Sequence, residues 1–408
     1  MSGTAVSPPA GRNDRDPIRS VALVTSLAFS LANFRGPLIE ALVRAGVRVY
    51  ALAPDHDDST RAAVSALGAE PVDISLDRTG MHPLRDMRDA RRLSDTLRRL
   101  QPDAIFAYFI KPVIYGTLAA KRAGIGHRYA LVAGLGYVFT PGGGRDSLKR
   151  RLLRRAASML YRRAFRACDL VYFQNDDDIA QFTRAGLIAP AKVRKLEGTG
   201  VDLARLPVAP PVTAPITFLL MARLLREKGI AEYVEAARLV RARIPDSRFL
   251  LLGGFDPNPG GFPREEVEGW VTEGVIEWLG HVDDVRPWIA QSSVYVLPSW
   301  REGKPRSTQE AMAMGRPVVT TDAPGCRDTV VEGVNGFLVP VRDPVGLAEA
   351  MLRFADQPEL IARMGAESRR LAEERFDVRQ INAQILGDMG IPASGSGGAG
   401  AQGAVARQ

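Results

Sequence analysis

The amino-acid sequence predicts an α/β protein made of two Rossmann-like, doubly wound domains facing a central cleft. Three observations predict it. The 408 residues are too many for one ordinary domain and enough for two, each able to bury its own core. Short β-type runs alternate with helical ones along most of the chain. The alternation then stops once, in a proline-rich stretch near the middle, before starting again.

In the first half, strands are expected over 21–25, 47–53, 104–108, 129–132 and 170–174. A helix is expected to start near Pro37, because the first helical position has no N–H bond to lose, and Gly46 ends it. Prolines at 207, 210, 211 and 215 mark 201–215 as a linker. Beyond it come strands over 216–221, 249–253, 275–279, 294–297 and 318–321, with a helix over 230–243. The division expected is an N-terminal domain over 18–200, a C-terminal domain over 216–375, and a last helix over 376–390 able to cross back to the first domain. Residues 1–17 and 391–408, rich in Gly, Ser, Ala and Pro without apolar periodicity, read as disordered tails.

Composition narrows the class. Hydrophobic content of 46% and charged content of 25% are those of a soluble globular protein. The longest apolar stretch, 21–32, spans about half of what a bilayer-crossing helix needs, and no signal-peptide pattern opens the chain. Cys168 and Cys326 stand far apart, suggest no disulfide framework and agree with a reducing cytoplasm.

A net charge of +8 and a pI near 9.7 imply anionic company. Nine basic residues lie within 145–166 against one acid, Asp146. Leu152, Leu153, Ala156, Ala157, Leu160 and Ala164 share one face of a helix there. Such a helix suits an anionic membrane surface or a lipid diphosphate, with Arg150, Arg151, Arg154 and Arg155 as the contacts. The alternative is a domain helix whose apolar stripe packs on the sheet under solvated arginines, and both can hold at once. No recognised binding module or aromatic stacking pattern accompanies the basic run, which argues against nucleic acid.

Two segments are placed to carry chemistry. MARLLREKG, 221–229, directly follows a strand, so Arg223 and Lys228 leave its carboxyl end together. Two fixed cations there suit a diphosphate, and the alternative is a solvated loop. PSWREGKPRSTQEAMAMGRP, 298–317, follows another strand and turns into a helix near Ser307, where free N–H groups and the helix dipole favour a phosphate. Glu302 and Glu310 are good acceptors for sugar and ribose hydroxyls. Taken alone, 307–310 is a capping-box sequence, with Glu310 returning a bond to the Ser307 N–H.

The E-x7-E spacing, the Ala-Met-Ala-x-Gly-x-Pro-Val-Val that follows it, Arg223 and Lys228 upstream and Gly253-Gly254 between them resemble the family 4 retaining glycosyltransferases of the GT-B fold, over about residues 20 to 390. The resemblance implies that Arg223 and Lys228 hold the donor diphosphate, and that Glu302 contacts the transferred sugar and distal phosphate with the backbone of Gly303, Lys304 and Pro305. Glu310 would bind the ribose, and Gly254 and Ser307 would complete the donor site. It further implies a UDP-sugar donor, retention of anomeric configuration, and no metal or other cofactor.

SLANFRGP, 30–37, FIKPVIYG, 109–116, and AGLGYVF, 133–139, are similar to a subgroup acting on polyprenyl-diphosphate-linked sugars of O-antigen, capsule or glycoprotein glycans. That similarity implies a lipid-linked saccharide acceptor, with Asn33, Arg35 and Lys111 among its contacts, at the cytoplasmic face of the membrane. An N-acetylhexosamine is one candidate for the transferred sugar. The histidine many members carry at the end of the strand leading to Ala133 is absent, and His127 reads as a turn or surface residue. Two rivals stay open: a nucleotide-sugar epimerase of the same fold, and a non-catalytic sugar- or lipid-binding protein.

Overall fold

A computed structural model describes residues 17–76, 83–134, 148–256, 258 and 260–392. Strands β1 (Ser20–Val24), β2 (Arg48–Ala53), β3 (Glu70–Asp73), β4 (Ala104–Tyr108), β5 (His127–Val132), β6 (Leu170–Phe173) and β7 (Val193–Lys195) form one sheet. Strands β8 (Thr217–Met221), β9 (Arg248–Leu252), β10 (Glu277–Trp278), β11 (Val294–Leu297), β12 (Val318–Thr321) and β13 (Gly336–Val339) form the other. Their orders are β3-β2-β1-β4-β5-β6-β7 and β10-β9-β8-β11-β12-β13, and every pairing is parallel. A parallel strand covered on both faces must be apolar on both. β4 and β8, each five consecutive buried residues, meet that condition.

Chain order reverses between β1 and β4 in the first sheet and between β8 and β11 in the second. At such a switch the crossover helices leave to opposite sides and open a crevice at the strand C-termini, where open α/β sheets bind ligands.

Several local expectations change. The first helix runs Phe29–Arg44, with Pro37 inside it. Its early start is held by Asp55, whose carboxylate accepts the Ala28 N–H at 2.7 Å and places a negative charge at the positive end of the helix dipole. The strand expected over 275–279 shortens to Glu277–Trp278 at the sheet edge.

The basic helix, Leu148–Ala167, turns inward only part of the stripe that periodicity suggests, Ala157, Leu160 and Ala164. Ala157, Tyr161, Ala164 and Phe165 are buried, while Leu152 is 68% exposed. Tyr161 and Phe165 claim the inner face because they pack on Phe182, and Phe165 also meets Phe173. Leu148 and Met159 point outward with Leu152, at 82% and 65% exposure.

The proline-rich segment lies against the second domain: Val201, Leu203 and Leu206 join its core, and Ala209 N–H bonds the Met314 carbonyl at 3.2 Å. The final helix, Val378–Asp388, buries Ile381, Ile385 and Leu386 in the core of the first domain. Ile391, assigned above to the tail, is buried there too. The remainder of both tails, 1–16 and 393–408, lies outside the described residues, as do Leu135 to Phe139 of the 133–139 motif.

Candidate functional site

The β8/β11 crevice gathers the second-domain residues singled out in the sequence. Lys228 ends a short 3-10 turn after β8, and Glu302 lies in the loop after β11. Gly229 makes their meeting possible. Its φ is +73°, and a Cβ would stand 2.1 Å from the Pro298 carbonyl oxygen, so only glycine lets the two loops touch. Lys228 Nζ then sits 2.5 Å from Glu302 Oε1, with about 15% of each side chain exposed. Ser299 Oγ donates to the same carboxylate oxygen at 2.9 Å.

Arg223 is half-exposed and pairs with buried Asp256. Burial pushes the Asp256 carboxyl up, but the Asn258 amide and the Arg223 guanidinium outweigh it and hold it below the usual carboxylate range. The close backbone approach after β9 is at Gly253, where a Cβ would lie 1.8 Å from the Ala222 carbonyl oxygen. Gly254 has ordinary room, and its carbonyl accepts the Leu224 N–H at 3.0 Å.

The capping box is not formed. The helix runs Arg306–Ala313 with Pro305 at its N-cap and no side-chain cap. Ser307 Oγ instead accepts from the Tyr295 hydroxyl at 2.6 Å, and Glu310 pairs with Arg306 at 2.8 Å. Arg306, which sequence reading passed over, also stacks on Phe34 of the first domain at 5.5 Å. The Lys304 side chain is fully buried and its ammonium pairs with Glu197, which leaves its backbone, the part expected to meet the donor, for a ligand. Burial pulls that ammonium below its ordinary value although Glu197 pulls it up.

The first-domain residues separate. Asn33 is exposed, with its amide donating to the Phe29 carbonyl at 3.0 Å. Arg35 is 3% exposed and lies over the Tyr108 ring at 5.1 Å. Burial, with a further push from Arg306, lowers its pKa to about 10 despite the opposing pull of Tyr108. The guanidinium, expected as an acceptor contact, is therefore packed on the rings of Tyr108 and Phe106 and is not open to solvent. Lys111 pairs with buried Asp86 at 2.8 Å, just past Phe109, whose φ of +72° marks a tight turn after β4. His127 opens β5, at the end opposite the crevice, and its ring stacks on Tyr129.

Among the basic-helix residues, Arg151 and Arg155 are exposed, Arg154 is partly exposed, and the Arg150 side chain lies outside the described residues. Among the described residues no helix is long and apolar enough to cross a membrane, and no three His, Cys, Asp or Glu side chains group as a metal site would.

Comparison with known proteins agrees with the two-domain fold. Residues 32–197 match the family model described as "Glycosyl transferase 4-like domain", and residues 215–357 match "Glycosyl transferases group 1". The N,N'-diacetylbacillosaminyl-diphospho-undecaprenol alpha-1,3-N-acetylgalactosaminyltransferase of Campylobacter jejuni is 26% identical, across 83% of this chain and 90% of its own. Sucrose-phosphate synthase from Thermosynechococcus elongatus superposes with a TM-score of 0.73 at 19% identity, covering 90% of this chain and 97% of its own. HepE from Anabaena, solved in complex with UDP-glucose, gives 0.72 at 19% identity, covering 91% and 99%.

Proposed function

The chain belongs to the glycosyltransferases of the GT-B fold whose family models it matches in both halves, and from that premise we propose that it moves a sugar from a UDP-sugar to a polyprenyl-diphosphate-linked saccharide with retention of configuration. The observation that carries this reading is the meeting of Lys228 and Glu302 at the switch between β8 and β11, with Arg223 on the same rim. Lys228 and Arg223 take the donor diphosphate, and Glu302 takes the hydroxyls of the sugar beside it. Glu310 and the N-terminus of Arg306–Ala313 serve the ribose and a phosphate oxygen. As the glycosidic bond to UDP breaks, negative charge grows on the leaving phosphate, and the fixed cations stabilise it without reorganising. That phosphate accepts the acceptor's proton as it departs, so this reading needs no side-chain base and no metal.

The acceptor class rests on the relative from Campylobacter jejuni, whose name describes an undecaprenol diphosphate substrate, and on the outward face of Leu148–Ala167. Leu148, Leu152 and Met159 fall on one side of that helix, with exposed Arg151 and Arg155 alongside. Apolar side chains entering the acyl boundary below arginines that meet phosphate headgroups is the arrangement of an interfacial helix. The enzyme then works at the cytoplasmic face of the membrane, with an N-acetylhexosamine as the first sugar to try.

The test is a screen of UDP-, GDP- and other activated sugars against a polyprenyl-diphosphate-sugar, reading product mass and anomeric configuration. A product from a UDP-sugar with retained configuration is the result expected. An inverted product, or conversion of the donor without an acceptor, would overturn the reading.

A further inference from the structure

The loop that carries Glu302 is gripped by the opposite domain. Gly303 has no space for a side chain, since a Cβ would stand 2.5 Å from the Ala133 carbonyl oxygen and 2.6 Å from Gln174 Oε1. Both follow strands of the first sheet, β5 and β6. On the other side Gly325, at φ +78°, presses on the same loop, and a Cβ there would lie 2.4 Å from the Glu302 carbonyl oxygen.

Asn175 ties the two domains at this point. It is fully buried. Its Nδ2 donates to the Gly303 carbonyl at 2.7 Å and reaches the Glu302 carbonyl at 3.4 Å. Its Oδ1 accepts the Asp178 N–H at 2.8 Å and so caps the helix Asp176–Arg184. Asp178, also fully buried, pairs with Arg301, the residue before Glu302.

We propose that Asn175 is a positioning residue of the donor site, holding the Glu302 loop in its working shape from across the domain boundary. This rests on the reading that Glu302 contacts the donor. A hydrogen bond to the Gly303 carbonyl orients the peptide plane next to Glu302 and thereby the direction of its carboxylate. The buried position makes the bond costly to lose, because the carbonyl has no solvent to turn to. Asparagine suits the place because one side chain must accept for the helix cap and donate to the loop. Because Asn175 belongs to the acceptor-side domain, the donor loop takes this shape only while the two domains are together.

The cap allows a clean experiment. Asn175→Ser and Asn175→Asp both retain a good N-cap acceptor. Serine is too short to reach Gly303, and aspartate turns a negative charge on two carbonyl oxygens. Both variants of the full chain are compared with the parent by UDP titration, by kinetics with donor and acceptor varied separately, and by thermal melting. The Kd for UDP and the donor KM should rise about two- to tenfold for Asn175→Ser, the range for one neutral hydrogen bond, and further for Asn175→Asp. Acceptor KM should stay near the parent value, while the melting temperature falls by a few degrees because the Gly303 carbonyl loses its buried partner.

Donor constants within twofold of the parent in both variants would overturn the inference, and so would donor and acceptor KM rising by the same factor. If Asn175→Asp does not fold, Asn175→Ser decides alone. Glu302→Ala and Lys228→Ala separate the two levels. Full turnover in both sinks the donor-site reading itself, whereas lost turnover there with unchanged donor constants at Asn175 sinks only the positioning role.

Discussion

Replacing Lys228 and Glu302 by alanine, singly and together, distinguishes a pair that only holds itself from a pair that holds a donor. The two charges lie 2.5 Å apart. At an effective dielectric of about 20, the gross attraction at that distance is about 7 kcal/mol. Desolvation offsets most of it, and with both side chains about 15% exposed, removing one partner should cost about 1–3 kcal/mol of stability. The double variant should cost less than the sum of the singles, because the second substitution removes the charge left unpaired by the first. Turnover should behave differently. Each single variant should lose at least about tenfold, or about 1.4 kcal/mol of barrier, and the double variant should lose more, since diphosphate and sugar each lose a contact. The assay is initial-rate transfer from the active UDP-sugar, run beside thermal melts of all four proteins. Near-normal rates in both single variants, or recovery of rate in the double variant, would refute the donor-site assignment.

Three further outcomes follow from other parts of the molecule. Gly229→Ala should destabilise by about 2 kcal/mol or more, since a positive φ is strained for alanine and its Cβ meets the Pro298 carbonyl. A melting temperature within about 2 °C of the parent would contradict this. Asp256 contributes stability through a carboxyl held below its unfolded value of 3.8. That contribution is fully present above about pH 4 and is lost as pH falls through the lower folded value, so the stability gap between the parent and Asp256→Asn should narrow from pH 5 to pH 2.5 in denaturant titrations. A gap independent of pH would refute the linkage. Arg151→Ala with Arg155→Ala should weaken binding to anionic vesicles by about thirtyfold, at about 1 kcal/mol for each arginine, and leave UDP affinity unchanged. Equal vesicle binding in sedimentation would return the helix to a purely structural role.

By itself the sequence determined the fold class and the family. Parallel strands buried on both faces leave continuous apolar runs, as 104–108 and 217–221 do. The Glu302 to Glu310 spacing lies within one strand–loop–helix unit, where local geometry follows from local residues. What the sequence left open is where each face and each charge finds its partner. Periodicity marked an apolar stripe on 148–167 but not the packing of Tyr161 and Phe165 on Phe182 that turns Leu152 outward. It started the first helix at Pro37 because the Asp55 carboxylate that supports Ala28 comes from another loop.

Charge type could not say that Lys304 turns to Glu197, or that Arg35 lies buried over Tyr108. Nothing along the chain marked Asn175, whose bond to Gly303 spans 128 positions. Such pairings form between elements brought together by the folding of two sheets and by a last helix that returns to the first domain. A charge or amide carries no mark of its partner along the chain, so only the tertiary structure could decide these contacts.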